Sequence, residues 1–80
     1  MTTERKLIEK RTLLRRYATG ERDFTNISFA SLSLSKVELQ GINLSGSVFR
    51  GTDLTGINLS GANLSGIKML AVNLTNAKLK

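Results

Sequence analysis

Cysteine is missing from this 80-residue chain, and so is histidine. Without cysteine there is no disulfide to support a small fold and no thiolate chemistry. Without histidine the commonest general base and the commonest metal ligand are both gone. Proline and tryptophan are absent too, and the aromatics number only three Phe and one Tyr. No run approaches the roughly eighteen apolar residues of a membrane-spanning helix. The charged start MTTERKLIEKR is followed by no apolar signal core, so cytoplasmic residence is expected. Acidic residues are also few, six against twelve basic, for a net charge of +6. The excess is divided evenly, because residues 1–21 and 22–80 each carry six basic and three acidic side chains. No Lys/Arg run is longer than two, and a solvated surface is the better reading of the charge.

What the chain has in abundance is Leu, Asn, Ser, Thr and Gly, in a fixed rhythm. Residues 56–66 read GINLSGANLSG, with Asn-Leu-Ser-Gly repeated five residues apart. Five fits neither the two-residue alternation of a strand nor the 3.6-residue period of a helix. Stepping by five from Leu59 gives Phe24, Phe29, Leu34, Leu39, Leu44, Phe49, Leu54, Leu59, Leu64, Met69, Leu74 and Leu79, all large and apolar. Two residues before these centres stand mostly small or β-branched residues, such as Ile27, Val37, Ile42, Ile57, Ala62 and Val72. The residue just before is often acidic or an amide, as at Asp23, Asn43, Asp53, Asn58, Asn63 and Asn73. Two residues after the centres, Gly41, Gly46, Gly51, Gly56, Gly61 and Gly66 form an unbroken series.

Each unit therefore sends two side chains inward from a brief extended stretch and then turns at Gly, Asn or Ser. If every unit turns the chain by about a right angle, four units close a square coil of about twenty residues. Successive coils can then stack at the strand spacing of about 4.8 Å, and residues 22–80 supply three of them. Stability should come from burial between coils.

The pattern resembles the pentapeptide-repeat family, whose units follow Ala-(Asp/Asn)-Leu-x-x; GANLSG at 61–66 matches directly, and GINLSG and GTDLTG are close variants. The resemblance implies an all-β solenoid, a right-handed quadrilateral β-helix. LLRRYATGERDF (13–24) is also similar to the helix-to-solenoid lead-in common in cyanobacterial members.

Residues 1–21 read unaided as a capping helix and turn. Leu7, Leu13, Leu14, Tyr17 and Ala18 fall on one helical stripe. Thr2 or Thr3 can cap its start, and Gly20 suits its end. Such an amphipathic helix would cover the apolar cross-section and open backbone edge of the first coil. Arg22, the one charged residue at an inward position, is expected to point past that coil. The other end lacks such a cover, although Lys78 and Lys80 discourage edge pairing by charge. A homodimer through this uncapped C-terminal coil is one expectation, and continuation of the natural chain is another.

The chemistry read from the sequence is mainly negative. Twenty-residue stacking places Asp23 with Asn43 and Asn63, Glu38 with Asn58 and Lys78, and Asp53 with Ser33 and Asn73. No two carboxylates share a column, and no serine or threonine has an evident activating base. GANLSGIK (61–68) imitates a phosphate loop, but Ile67 stands where that loop needs lysine. Asn/Asp ladders could bind a cation, yet amide stacking and turn bonding explain them more simply. The Asn-x-Ser/Thr sequons are by-products of the repeat. No catalytic, cofactor or metal site is expected, and so no enzyme.

One column breaks the pattern. Around Phe29, Phe49 and Met69 the outward positions are Ser28, Ala30, Val48, Arg50, Lys68 and Leu70, where Ser, Thr, Asn or Asp stand elsewhere. Stacking would make Val48, Arg50, Lys68 and Leu70 a candidate partner patch of apolar residues beside cations. Tolerated surface variation, or cover by the N-terminal helix or a second copy, is the plainer explanation. A non-catalytic structural or protein-interaction module of unnamed partner is thus the leading reading. The charge alone supports an alternative, a basic nucleic-acid or anionic-surface binder, though no recognition motif or aromatic platform accompanies it. Some members of the family resemble duplex DNA and occupy a topoisomerase's DNA site, but that mimicry needs an acidic surface, which this chain lacks.

Overall fold

The computed structural model describes residues 6–80. Strand β1 (Lys6–Leu7) precedes helix α1 (Lys10–Ala18), and strands β2 (Ile27–Ala30), β3 (Val48–Arg50) and β4 (Lys68–Leu70) follow. All four strands are parallel, in the order β1-β2-β3-β4. From β2 onward the register joins residues twenty apart, with Ser28 opposite Val48 and Val48 opposite Lys68. Single bridges at the same offset link Asp23 to Asn43 and Asn63, Ser33 to Asp53 and Asn73, and Glu38 to Asn58 and Lys78. Four parallel ladders result, one from the strands and three from single bridges.

Local chemistry explains why three ladders are reduced to bridges. On these, every Asn or Asp that stands just before a centre accepts a hydrogen bond from the N–H two residues later. Asn43 takes that of Ser45 at 3.1 Å, Asp53 that of Thr55 at 2.9 Å, and Asn58 that of Ser60 at 3.0 Å. Asp23, Asn63 and Asn73 do the same. A side chain that satisfies this N–H removes it from the backbone ladder. The corresponding residues of the strands are Ser28, Val48 and Lys68, which form no such bond, and pairing runs through three consecutive residues.

The turns are set by backbone handedness. From Asn26 to Asn76, every fifth residue has positive φ, between 55° and 73°. Glycine fills six of these positions, but Ser31, Lys36 and Ala71 hold the same conformation against a steric cost. Many turns are closed by a backbone bond across the corner, as from the Val37 N–H to the Leu34 carbonyl at 3.2 Å.

Inside, Phe24, Phe29, Leu34, Leu39, Leu44, Phe49, Leu54 and Leu59 are buried, with Ile27, Ile42 and Ile57 beside them. The Phe29 and Phe49 rings stack with centroids 4.4 Å apart. Ser47 is fully buried, and its hydroxyl accepts from the Ile27 N–H at 3.1 Å and donates to the Phe24 carbonyl at 3.0 Å. Leu64, Met69 and Leu74 are half-buried and Leu79 is 46% exposed, since they lie on the side of the stack that no described coil covers.

The helix covers the opposite end. Leu13 is completely buried, while Leu14 and Tyr17 are half-buried and Ala18 is exposed. Its C-terminus closes with Gly20 at φ 103°, the Gly20 N–H donating to the Tyr17 carbonyl and the Glu21 N–H to the Arg16 carbonyl. This paired closure satisfies two carbonyls that the helix end leaves open. The Tyr17 hydroxyl donates to the Gln40 carbonyl at 2.7 Å, tying the helix to the repeats. Arg16 holds Glu21 through Nε–Oε1 at 2.9 Å and stands over the Phe24 ring at 4.6 Å. Arg22 is exposed and turned back, with its guanidinium 3.7 Å from the Tyr17 ring centroid.

Two expectations for this segment change. Leu7 is not on the helical stripe; it lies in β1, opposite Ser28, and is 75% exposed. The helix starts only at Lys10, because Leu7 and Ile8 are extended along β2. Strand alternation there turns Ile8 inward and Leu7 outward. Glu9 occupies the N-cap position without a capping side-chain bond, and Thr2 and Thr3 lie outside the described residues. Residues 6–21 therefore contribute a sheet strand as well as a helix.

Candidate interaction face

Beside the three single-bridge ladders, the outer side of the four-stranded sheet stands apart. Phe29, Phe49 and Met69 point inward, so alternation directs Ser28 and Ala30, Val48 and Arg50, and Lys68 and Leu70 outward. The register sets Val48 beside Lys68 and Arg50 beside Leu70. These four residues form a two-by-two chequer of apolar and cationic side chains, about 4.8 Å apart between strands and about 7 Å along them. Arg50 and Lys68 are exposed and have no ion-pair partner among the described residues.

Val48 departs from its expected exposure. It is only 9% accessible, closed in between the neighbouring strands. The exposed apolar area comes instead from Leu70, at 52%, and from Leu7. Leu7, Ser28, Phe29, Ala30, Val48 and Arg50 line a depression of about 350 Å³. A second hollow of about 570 Å³ lies on the other side of Leu7, between Ile8, Glu9, Thr12, Ala30 and Leu32. Leu7 is thus the ridge between two hollows. Its membership of this face escapes a reading by repeat, because β1 precedes the first unit and pairs at an offset of twenty-one, Lys6 with Ile27. The alternation in Leu7-Ile8 is the only signal, and it is two residues long.

The carboxylates of the repeats lie elsewhere. Asp23, Asp53 and Glu38 each belong to a different single-bridge ladder. The Thr55 hydroxyl and N–H hold the Asp53 carboxyl below the usual carboxylate range. Glu38 accepts from Gln40 at 2.9 Å and from Asn58 at 3.1 Å, a structural use of its carboxylate. Among the described residues no three metal-ligating side chains come close enough to hold an ion. No described helix is long and apolar enough to cross a membrane.

A family model of pentapeptide repeats matches residues 23–66, in eight copies. The chain belongs to the pentapeptide-repeat family. Pentapeptide repeats give a β-helix-like fold, and the twenty-residue parallel register is the form it takes here. In this pentapeptide-repeat protein the ladders continue past the matched region, through β4 and the Asn58–Lys78 bridge. Among curated proteins, none matches the chain significantly.

Proposed function

We propose that this protein is a non-catalytic interaction module, with its repeats wound as a right-handed quadrilateral β-helix of three coils over residues 22–80. The four ladders at a common offset and the left-handed residue at every fifth position support the winding, and the family supports its hand. The preceding segment, through α1, serves as the cap. The docking surface is the outer side of β1–β4, with Arg50, Lys68, Leu70 and Leu7 as its accessible members and Val48 as its buried floor.

One observation carries this reading. In the three bridge ladders six of the nine paired residues, Asp23, Asn43, Asn63, Asp53, Asn73 and Asn58, close their own backbone, whereas the strand ladder has none of these and presents unpaired cations beside exposed leucines. The test compares proteins captured from source cells by wild type and by a Leu7→Ser/Leu70→Ser variant, each hit then being re-bound as a purified protein. A purified partner that binds wild type and loses the variant supports the face. Partners indifferent to both substitutions overturn it.

The half-exposed inward residues Leu64, Met69, Leu74 and Leu79 support a second contact, a homodimer through this end. Light scattering that finds only monomer at high concentration rejects it. A basic-surface reading keeps one observation in its favour: Lys10, Arg11 and Arg15 are exposed on α1 without a carboxylate partner among the described residues. Steeply salt-dependent retention on DNA is its signature.

A further inference from the structure

We infer that the occupant of the β1–β4 face is an acidic protein segment carrying a bulky apolar side chain. This rests on the reading of that face as a docking surface and assigns the chemistry of its partner. None of β1, β2, β3 or β4 contains Asp or Glu, whereas each of the other three ladders contains one carboxylate. The sheet is the one side of the repeats whose fixed charges are all positive. Arg50 and Lys68 sit on the diagonal of the chequer, about 8 Å apart by sheet geometry. Carboxylates two residues apart in an extended segment are separated by about 7 Å, which matches that diagonal.

The apolar half of the face selects the rest of the partner. The depression beside Leu7, lined by Val48 and Ala30, has room for a bulky side chain, and Leu7 and Leu70 flank the two cations. A phosphate polymer has no group to fill such a hollow, and two cations are few for backbone binding, whose strength scales with the number of phosphates neutralised. An apolar anchor beside two carboxylates uses both halves. Glu9 lies across Leu7 in the second hollow and repels an acidic segment there, so the segment is steered toward β3 and β4. Complementary charge of this kind sets orientation and partner choice.

A random-sequence displayed peptide library, selected on the wild-type protein, tests the assignment. Selected peptides are re-measured on Leu7→Ser/Leu70→Ser, on Arg50→Glu/Lys68→Glu and on the milder Arg50→Gln/Lys68→Gln. All four positions are exposed, and circular dichroism confirms that each variant is folded. The expected peptides lose binding on the leucine variant, carry Asp or Glu beside Leu, Ile or Phe, and weaken about tenfold or more on the charge-reversed pair. The Gln pair gives a smaller loss, and added salt weakens wild-type binding. Peptides that need the leucines but are neutral or basic overturn the acidic assignment and leave the face intact. A selection yielding no peptide sensitive to the leucines overturns both. If duplex DNA or phosphatidylserine vesicles bind through Arg50 and Lys68 while no acidic peptide does, the partner is a phosphate surface and the inference is wrong.

Discussion

Ser47 stands at an inward position that its neighbours fill with Ile42, Thr52 and Ile57, and its hydroxyl is doubly bonded inside the core. At most corners, a unit's own carbonyl accepts the N–H three residues later, as between Leu44 and Ser47. Between Phe24 and Ile27 the Ser47 hydroxyl bridges the same two groups instead. Ser47→Ala should therefore strand a buried N–H and a buried carbonyl, costing about 1–3 kcal/mol; denaturant unfolding measures it, and a change near zero would mean that the corner closes by itself. Ala71 illustrates the opposite case. Its φ of 55° costs an L-residue about 1–2 kcal/mol, while glycine gives back about 0.5–1 kcal/mol in chain entropy. Ala71→Gly is thus expected to stabilise by about 0.5 kcal/mol, a rise of roughly 3 °C in Tm. At this scale the sequence is very legible. Inward Leu, outward Asn and turning Gly have jobs set by their own side chains and recur in register. Lys36 and Ala71 are less so, since their left-handed backbone is imposed by the turns on either side.

Elements are a different matter, because a strand is defined by its partner. The Asx positions distinguish the bridge ladders from β2–β4 in the sequence itself: Asn43 and Asp53 close onto Ser45 and Thr55, and Val48 and Lys68 cannot. β1 has no comparable mark. Two residues with no repeat context become a strand only because β2 offers an open edge, and a helical stripe beginning at Leu7 is the natural misreading. The candidate face was consequently visible as a break in residue type, while the burial of Val48 and the exposure of Leu7 were not. Helix α1 also gives this fold a pH response. Glu21 is held below the usual carboxylate range mainly by its hydrogen bonds from Arg16, and Asp53 by those from Thr55. A depressed carboxyl binds its proton less readily in the folded state. Its stabilisation is therefore complete above the unfolded-state pKa and fades as pH falls through the folded value. Thermal midpoints should drop as pH falls below the ordinary carboxylate range, about 4.5. Glu21→Gln should flatten that drop in part, and an unchanged profile would remove the Arg16 contact from the account.

For the whole molecule, burial is uneven along the repeat. Leu34, Leu39, Leu44, Leu54 and Leu59 are shut away, whereas Leu64, Met69 and Leu74 are only half-covered. In stacked repeats stability is nearly a sum of neighbour contacts, and a segment with neighbours on one side opens first. Hydrogen exchange should accordingly find the amides of Ile67 and Ala77 exchanging ahead of those of Leu34, Leu39 and Leu44. Uniform protection along the chain would contradict this. Protection of the last segment that rises with protein concentration would identify a second copy as its cover.

The twenty-residue register has a consequence for how such a chain can change in length. Gaining or losing one five-residue unit leaves the inward rhythm untouched, so the interior still packs. Everything downstream, however, is advanced by one ladder. A single extra unit between Ala30 and Val48 would carry Arg50, Lys68 and Leu70 away from Leu7 and Ala30 and onto the side now occupied by Ser33, where Asp53 and Asn73 pair with it. The interior keeps time in fives and the surface in twenties. Length changes that preserve the outer face of the sheet must therefore come four units at a time.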